Sequence, residues 1–408
     1  MKKTIRDVQH WAGQRALVRE DFNVPLSKDG QIADDTRIRE ALPTLRYLLE
    51  QGAKVIVMSH LGRPKGQVDP AFTLAPVAKR LQELLTGVTI HFAPETDLSA
   101  VTRQTETLNA GELLLLENVR FYPGEEKNDP ALAQQLAALG DIYVNDAFGT
   151  AHRAHASTEG VAHCLPERVA GFLMEKEIKA LSLVLNSDQP LTAIIGGSKI
   201  STKITVLENL LPKVRHMIIG GGMIFTFLKA QGLPVGNSLV EDDFVETARK
   251  LLTDAQGSTQ VTLVLPDDIL IAERFAADAE SRVVNADQLP EGWMGLDIGP
   301  NSIARIQEIL RQSPLVLWNG PMGVFEFPRF AEGTRAIAET LAQETEAGRS
   351  KTILGGGDTV AAIEQFQFAP TRFTHVSTGG GASLEFLEGQ TLPGIAALED
   401  VPAQVPAH

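Results

Sequence analysis

The chain has 408 residues, of which 43% are hydrophobic and 22% are charged, a balance that predicts a sizeable core and leaves room for two ordinary domains. Its net charge of −14 argues against general binding to nucleic acid or anionic membranes, because affinity for a phosphate backbone needs clustered Lys and Arg. The single cysteine, Cys164, excludes an internal disulfide and is expected to be a small buried hydrophobe. Residues 1–7 lead into no apolar signal-peptide core and no apolar run approaches a membrane-spanning length, so we expect a cytoplasmic protein.

Short apolar runs typical of β-strands recur along the whole chain. They occupy residues 16–18, 54–58, 113–116, 141–144, 192–195, 216–219, 261–265, 315–318, 352–354 and 375–377. Helical stretches such as residues 131–139 and 335–341 lie between them. Continuous apolar strands that alternate with helices predict an α/β protein whose parallel sheets are covered on both faces. The acidic run at residues 125–129 is expected to be a solvated loop.

A domain boundary is expected near Ala170 and Gly171, where a turn precedes the charged helical run at residues 175–179. That run would be a connecting helix between two α/β halves of similar size. In an open parallel sheet, ligands bind beyond the carboxyl ends of the strands. The residues that follow each apolar run are therefore the candidates for function.

In the first half, polar stretches with arginines follow the predicted strands. The stretches are DFNVP at residues 21–25, SHLGRP at 59–64, ENVRF at 117–121 and NDAFGTAHRAH at 145–155, and Arg37 and Arg39 add to them. Arg63, Arg120 and Arg153 each stand where the ligand crevice should be, and guanidinium groups match phosphate or carboxylate oxygens. The pattern predicts a small, multiply anionic substrate. The alternative for each arginine is a surface salt bridge.

The histidines near these arginines have more than one interpretation. His152 and His155 have the spacing of a metal pair, but no Cys or carboxylate with zinc-site spacing accompanies them. His60 and His152 are either hydrogen-bond donors to an anion or satisfied loop histidines.

In the second half, the predicted strands are followed by glycines. The stretches are GGSKISTK at residues 196–203, GGG at 220–222, NGPMGVFE at 319–326, GGGDT at 355–359 and TGGGA at 378–382. Repeated glycines after strands let backbone N–H groups approach a nucleotide. Lys199 and Lys203 lie four apart, so on a helix both would project from one face toward the phosphates. Asp358 is expected to hold Mg²⁺ on a nucleoside polyphosphate, or else to cap the following helix, as Thr359 also could.

An arginine-lined crevice in one half and a glycine- and lysine-lined crevice in the other predict a reaction between an anionic small molecule and a nucleotide. Phosphoryl transfer, with water excluded by domain closure, is the chemistry that positioning and cationic stabilisation can drive. The predicted class is a kinase without a Walker motif.

These motifs, in their order and over essentially the whole chain, closely resemble those of the phosphoglycerate kinase family. The resemblance implies reversible transfer of the acyl phosphate of 1,3-bisphosphoglycerate to MgADP, giving 3-phosphoglycerate and MgATP in glycolysis and gluconeogenesis. It implies two Rossmann-like three-layer lobes with parallel sheets, joined by a hinge helix, in a monomer. The phosphoglycerate-binding domain would be residues 1–170 and the nucleotide-binding domain residues 171–392, with residues 393–408 returning to the first domain.

Carried over by position, the resemblance also implies site residues. Those similar to the family's phosphoglycerate site are Asp21, Phe22, Asn23, Arg37, His60, Leu61, Gly62, Arg63, Arg120, His152 and Arg153. Those similar to its nucleotide site are Gly197, Lys203, Gly221, Asn319, Glu326, Gly356, Gly357, Asp358 and Thr359, with Glu326 as a ribose contact and Asp358 as the Mg²⁺ ligand. Arg37 and Lys199 resemble transition-state cations, and Gly379 and Gly380 resemble the helix start that meets the phosphoryl group.

No general base is expected, because a carboxylate that attacks ATP has no hydroxyl proton to lose. Two alternatives remain at this stage: another kinase that acts on a small acid, and a nucleotide-binding regulator without catalysis.

Overall fold

A computed structural model describes residues 1–402 of the chain. Residue contacts divide the chain into two compact units, which contain Met1–Lys179 with the residues from Thr391 onward, and Ala180–Gln390. Of the C-terminal segment predicted at residues 393–408, residues 403–408 lie outside the described part. None of the helices in residues 1–402 combines the length and the hydrophobicity that a membrane crossing requires.

The first unit contains a six-stranded parallel sheet with the strand order β3-β4-β2-β1-β5-β6. Its strands are β1 (Arg15–Arg19), β2 (Lys54–Met58), β3 (Ile90–Ala93), β4 (Leu113–Leu116), β5 (Ile142–Asn145) and β6 (Glu167–Ala170). Its helices are α1 (Thr36–Glu50), α2 (Ala75–Leu84), α3 (Leu98–Thr107), α4 (Pro130–Ala137), the single turn α5 (Val161–His163), and α6 (Phe172–Asn186), which continues past the end of the unit.

Local sequence explains why these elements form where they do. Every residue of β4 is buried, as are four of the five residues of β2, because both faces of the sheet are covered. Helix α4 begins after Asp129, whose carboxylate accepts a hydrogen bond from Leu132 N at 2.9 Å, and Pro130 occupies the first helical turn.

The second unit contains another six-stranded parallel sheet, with the order β15-β14-β13-β7-β8-β9, and a three-stranded antiparallel sheet with the order β11-β10-β12. The strands are β7 (Leu191–Ile195), β8 (Val214–Ile219), β9 (Thr262–Val264), β10 (Asp268–Ala272), β11 (Ser281–Asn285), β12 (Met294–Ile298), β13 (Leu315–Asn319), β14 (Lys351–Gly355) and β15 (His375–Val376). The helices are α7 (Ile204–Leu210), α8 (Ile224–Ala230), α9 (Val245–Gln256), α10 (Pro300–Arg311), α11 (Glu332–Glu346), α12 (Gly357–Gln365) and α13 (Gly381–Leu387); α14 (Pro393–Ala396) follows in the first unit.

The predicted α/β class with two parallel sheets is confirmed, and each apolar run named above contains or overlaps a strand. Two other expectations were wrong. Cys164 is exposed, because it follows the last residue of α5 at the surface. In the acidic run, Glu126 and Lys127 are exposed as expected, but Glu125 is fully buried, and its carboxylate accepts hydrogen bonds from the backbone and the hydroxyl of Ser157.

Candidate active site

In the first unit, the predicted substrate residues follow the carboxyl ends of neighbouring strands. The sheet order places β4, β2, β1 and β5 side by side, and all four run parallel. The loops that follow them therefore meet at one edge of the sheet. Arg37 joins this edge from the first turn of α1.

Asp21 is the carboxylate around which the loops after β1 and β2 are arranged. It accepts a hydrogen bond from Arg37 Nη1, and its Oδ1 lies 3.9 Å from His60 Nδ1. Burial raises the pKa of Asp21, but His60, Arg37 and Arg19 outweigh burial and lower it to about 2. Burial lowers the pKa of His60. Asp21 acts in the opposite direction, but the positive charges of Arg19, Arg120 and Arg37 add to the effect of burial, and the pKa lies well below its ordinary value. The imidazole therefore carries a charge only in acid, and at neutral pH Arg37 and Arg19 are the cations that keep Asp21 ionised.

A second set of hydrogen bonds ties three of these loops together through Gly62. Asn23 Oδ1 accepts from Gly62 N at 2.9 Å, and Gly62 O accepts from Arg120 Nη1 at 2.8 Å. Arg120 is only 4% exposed, and burial lowers the pKa of its guanidinium. Phe22 and Leu61 have their side chains in the hydrophobic core, so any contact they make with a ligand is through their backbone.

The loop after β5 brings His152 and Arg153 into this set. Both are half-buried, and Arg153 Nε lies 3.2 Å from His152 Nε2. In the same loop, a Cβ added to Gly149 would lie 2.7 Å from Asp21 Oδ2. Arg63 is the exposed member of the predicted set.

In the second unit, the glycine loops border a cavity of about 440 Å³. Gly197, Gly221, Glu326 and Asp358 from the predicted nucleotide set line it. Part of its apolar wall comes from residues that sequence reasoning did not single out, namely Ile224, Phe225, Leu239, Phe275, Met294 and Leu296.

Many of the glycines are required because the loops contact one another. Gly221 has a φ of +70°, and a Cβ there would lie 2.4 Å from Gly197 O. A Cβ on Gly357, by contrast, would meet nothing within 4 Å. Gly221 therefore lets two loops pack closely, whereas the start of α12 at Gly357 is open to a ligand.

Lys199 and Lys203 do not share a helical face, so that prediction was wrong. A 3-10 turn, Ile200–Thr202, separates them, and α7 begins only after Lys203. The backbone of Lys199 is extended, and the residue is exposed. Lys203 is half-buried and donates from Nζ to Asn319 Oδ1 at 2.5 Å.

Asp358 lies exposed in the first turn of α12, but it does not cap the helix. Gly356, with a φ of +92°, occupies the capping position and offers no side chain. Thr359 accepts a hydrogen bond from Gly320 N at 2.7 Å, which ties α12 to the loop after β13. The capping alternative for Asp358 is therefore excluded, and its carboxylate is available to a ligand.

The last two predicted residues precede α13. Gly379 is buried, and its N–H donates to Ser377 Oγ at 3.2 Å. Gly380 is exposed and has a φ of +53°.

Sequence reasoning missed two buried charged residues beside these sites. Arg19 is 1% exposed and contacts His60, and the charge at the end of an otherwise apolar strand was the available signal. Asp297 lines the cavity of the second unit, and burial raises its pKa to about 7. It belongs to the antiparallel sheet, which the apolar runs did not reveal.

Comparison with known proteins places the chain in a family. The model of the phosphoglycerate kinase family matches residues 5–390. A phosphoglycerate kinase of Acaryochloris marina is 56% identical and covers 98% of this chain and 99% of its own. A cytosolic phosphoglycerate kinase of Triticum aestivum is 57% identical, with 95% and 96% covered. The solved structure of phosphoglycerate kinase from Coxiella burnetii is 42% identical, with 97% and 98% of the two chains covered and a TM-score of 0.89. The chain therefore belongs to the phosphoglycerate kinase family.

Proposed function

We propose that this phosphotransferase moves a phosphoryl group reversibly between 1,3-bisphosphoglycerate and MgADP, with the phosphoglycerate on the first unit and the nucleotide on the second. The observation that carries the proposal is the grouping of Arg37, Arg120 and Arg153 at one sheet edge of an acidic protein. Membership of the family makes glycolysis the context.

The first unit suits a small phosphorylated acid. Arg63, Arg120 and Arg153 supply guanidinium groups for phosphate and carboxylate oxygens. Asp21 and Asn23 offer oxygens that can accept from a substrate hydroxyl. Because His60 is neutral at pH 7, it acts as a hydrogen-bond donor rather than as a charge.

The second unit suits a nucleotide. Its cavity of about 440 Å³ falls within the range of about 300–1,000 Å³ usual for small-molecule sites. The apolar walls formed by Phe225, Leu239 and Met294 support a base, and Glu326 is proposed to contact the ribose. Lys203, with the backbone at Gly356 and Gly357, is proposed to contact the phosphates.

Asp358 is proposed to hold Mg²⁺ together with the nucleotide. Mg²⁺ binds through one or two carboxylates and the substrate's phosphates, with water in its other positions. One exposed carboxylate in the first turn of α12, whose charge acts on the half-buried Lys203, fits that donor set. When bound, the ion would neutralise charge on the phosphates.

Catalysis is then positioning plus charge stabilisation. Lys199 and Arg37 are proposed to neutralise the phosphoryl group in transfer, and Gly380 to offer its exposed backbone N–H to it. Gly379, whose own N–H donates to Ser377 Oγ, is proposed to hold the start of α13 in place for that contact. Closure of the two units would exclude water from the reaction. We also propose a monomer in the cytoplasm; the cytosolic name of the wheat relative supports the location.

The test is ATP formation from 1,3-bisphosphoglycerate and ADP, with and without Mg²⁺. Rapid turnover that depends on Mg²⁺ is expected. Turnover with other phosphorylated or carboxylic acids but not with phosphoglycerate would favour a different small-acid kinase. Binding of MgADP without any turnover would favour a regulator.

A further inference from the structure

The hydrogen bond between Arg19 and His60 determines which imidazole nitrogen carries the proton. Arg19 Nη2 lies 3.2 Å from His60 Nδ1, and the two side chains are 1% and 3% exposed. A guanidinium nitrogen can only donate, so Nδ1 must accept through its lone pair. A neutral imidazole has one acceptor and one N–H, and its proton therefore resides on Nε2.

Arg19 is held so that it cannot turn away from this contact. Its Nε donates to Ser157 Oγ at 2.8 Å, and its Nη1 donates to Glu20 O. Ser157 is in turn fixed by Glu125, which accepts from the hydroxyl at 2.5 Å and from the backbone N–H at 3.0 Å. Ser157 and Glu125 are both fully buried. All three guanidinium nitrogens are thus engaged, and the side chain is buried.

The competing arrangement would place the proton on Nδ1, facing Asp21. The distance from Nδ1 to Asp21 Oδ1 is 3.9 Å, which is beyond hydrogen-bond range. Asp21 also already accepts from Arg37. The charged groups around the ring are Asp21, Arg19, Arg120 and Arg37, so cations outnumber the single carboxylate and a second proton on the ring is disfavoured.

We propose that Arg19 is a positioning residue that keeps His60 in the Nε2-protonated tautomer, so that the ring offers an N–H donor to an anionic substrate. The substrate role of His60 rests on the function proposed above, whereas its tautomer does not. An acceptor nitrogen in the same place would repel phosphate or carboxylate oxygens. Arg19 would therefore act on substrate affinity through His60, without touching the substrate.

The first test is nitrogen-15 NMR of the imidazole groups in the full chain without substrate, at pH 7. The His60 signal is identified by its loss in His60→Gln. We expect Nδ1 to appear as an unprotonated nitrogen and Nε2 as a protonated one. A protonated Nδ1 in the unaltered protein overturns the proposal, and this measurement needs no folded Arg19 variant.

The second test compares Arg19→Met and Arg19→Lys. Arg19→Met keeps the aliphatic bulk but removes the donor, so we expect a mixture of tautomers and a higher pKa for His60; Arg19→Lys retains a charged donor and should restore part of the unaltered spectrum. Ser157→Ala removes the partner of Arg19 Nε and one of the two hydrogen bonds to Glu125 but leaves the contact of Arg19 Nη2 with His60, so it should change the tautomer ratio less. An Arg19→Met protein that folds and keeps only the Nε2-protonated form overturns the proposal.

Steady-state kinetics separate this inference from the proposed function. If both hold, the KM for 3-phosphoglycerate rises about tenfold in Arg19→Met, as expected for a weakened hydrogen bond to a charged group, and the KM for ATP stays unchanged. A tautomer change without any change in the 3-phosphoglycerate KM refutes the substrate role of His60 and leaves the positioning role of Arg19 supported.

Discussion

Lys203 donates from Nζ to Asn319 Oδ1 at 2.5 Å, and this bond joins the residue before α7 to the last residue of β13. Asn319 is 1% exposed. Burial lowers the pKa of Lys203, although Asp358 and Glu388 act in the opposite direction. The ammonium group is thus fixed where it has lost much of its water, which strengthens its interaction with an incoming anion.

Asn319→Ala is expected to weaken MgADP binding about tenfold, because it removes a hydrogen bond to a charged group. Calorimetric titration with MgADP measures this. Asn301→Ala is the control, since Asn301 is exposed near the start of α10. An affinity equal to that of the control would remove Asn319 from the nucleotide site.

Lys199→Ala is expected to lower kcat about 100-fold or more, the usual effect of losing a group that stabilises charge in the transition state. The Kd for MgADP should change little, because Lys199 is exposed and would act on charge that develops during transfer. The comparison is with Lys213→Ala, another exposed lysine. Equal losses in kcat and in nucleotide affinity would refute a role confined to the transition state.

Asp358→Asn tests the metal assignment. The carboxylate is exposed and does not cap α12, so the amide should leave the helix intact while removing the proposed Mg²⁺ ligand. We expect MgADP binding to weaken about tenfold or more and metal-free ADP binding to change little or to improve, because a negative charge beside the phosphates is removed. Titrations with ADP, in Mg²⁺ and in a chelator, measure the two affinities, and Asp287→Asn is the exposed control. Identical losses of affinity for MgADP and for metal-free ADP would exclude Asp358 as the metal ligand.

Gly149→Ala tests how the loop that follows β5 packs against Asp21. The added Cβ would lie 2.7 Å from Asp21 Oδ2 and should push the carboxylate away from Arg37. Because misplaced binding groups commonly cost one to two orders of magnitude, we expect kcat/KM for 3-phosphoglycerate to fall about tenfold or more, with the Kd for MgADP unchanged. In the control Gly257→Ala, the new Cβ makes only ordinary contact, at 3.5 Å from Thr253 O. A normal kcat/KM in Gly149→Ala would mean that Asp21 tolerates displacement.

Asp146 gives the stability of the chain a dependence on pH. Burial raises the pKa of this carboxyl to about 7 from 3.8, so the folded state holds a proton that the unfolded chain releases at lower pH. Its stabilising contribution is complete below about pH 4 and is lost as the pH rises through 7. Asp146→Asn, which is neutral at every pH, should therefore lessen the fall in unfolding midpoint between pH 5 and pH 8.

Asp141→Asn supplies the matched control for that measurement. Partial burial raises the pKa of Asp141, but its hydrogen bonds with Arg15 lower it overall. Its contribution is present above the unfolded pKa and is lost only in acid, so this substitution should leave the slope between pH 5 and pH 8 unchanged. Equal slopes for all three proteins in urea unfolding would contradict the assignment to Asp146.

The parts of the fold that the sequence predicted are those with continuous apolar runs. The residues of β2 and β4 are buried on both faces, so the runs stand out whatever lies around them. Two of the strands that were missed are partly exposed: β3 is an edge strand, and no residue of β11 is fully buried. Strands of that kind depend on their partners, and those partners are not visible in a local window.

The same distinction applies to the site. Asp21, His60 and Arg120 were predicted because each follows a predicted strand. The burial of Glu125 could not be predicted, because its partner Ser157 lies 32 residues further along the chain. The prediction that Lys199 and Lys203 share a helical face was wrong for a local reason. A spacing of four predicts a common face only inside a regular helix, and the chain forms a 3-10 turn there.

The C-terminal segment packs against the loop that follows β5. Gly394 N donates to Ala151 O at 2.8 Å, next to His152 and Arg153, and Lys3 N donates to Glu399 O at 2.8 Å. The unit that begins the chain therefore includes residues that leave the ribosome only after the whole of Ala180–Gln390 has been made. Domains generally fold in the order of their synthesis, but here the first unit is complete only after the residues from Thr391 onward have been made. During translation all residues of the second unit can be present while the loop that carries Arg153 still lacks its contact with Gly394. Under the proposed function, the nucleotide site would then be complete before the site for the acid.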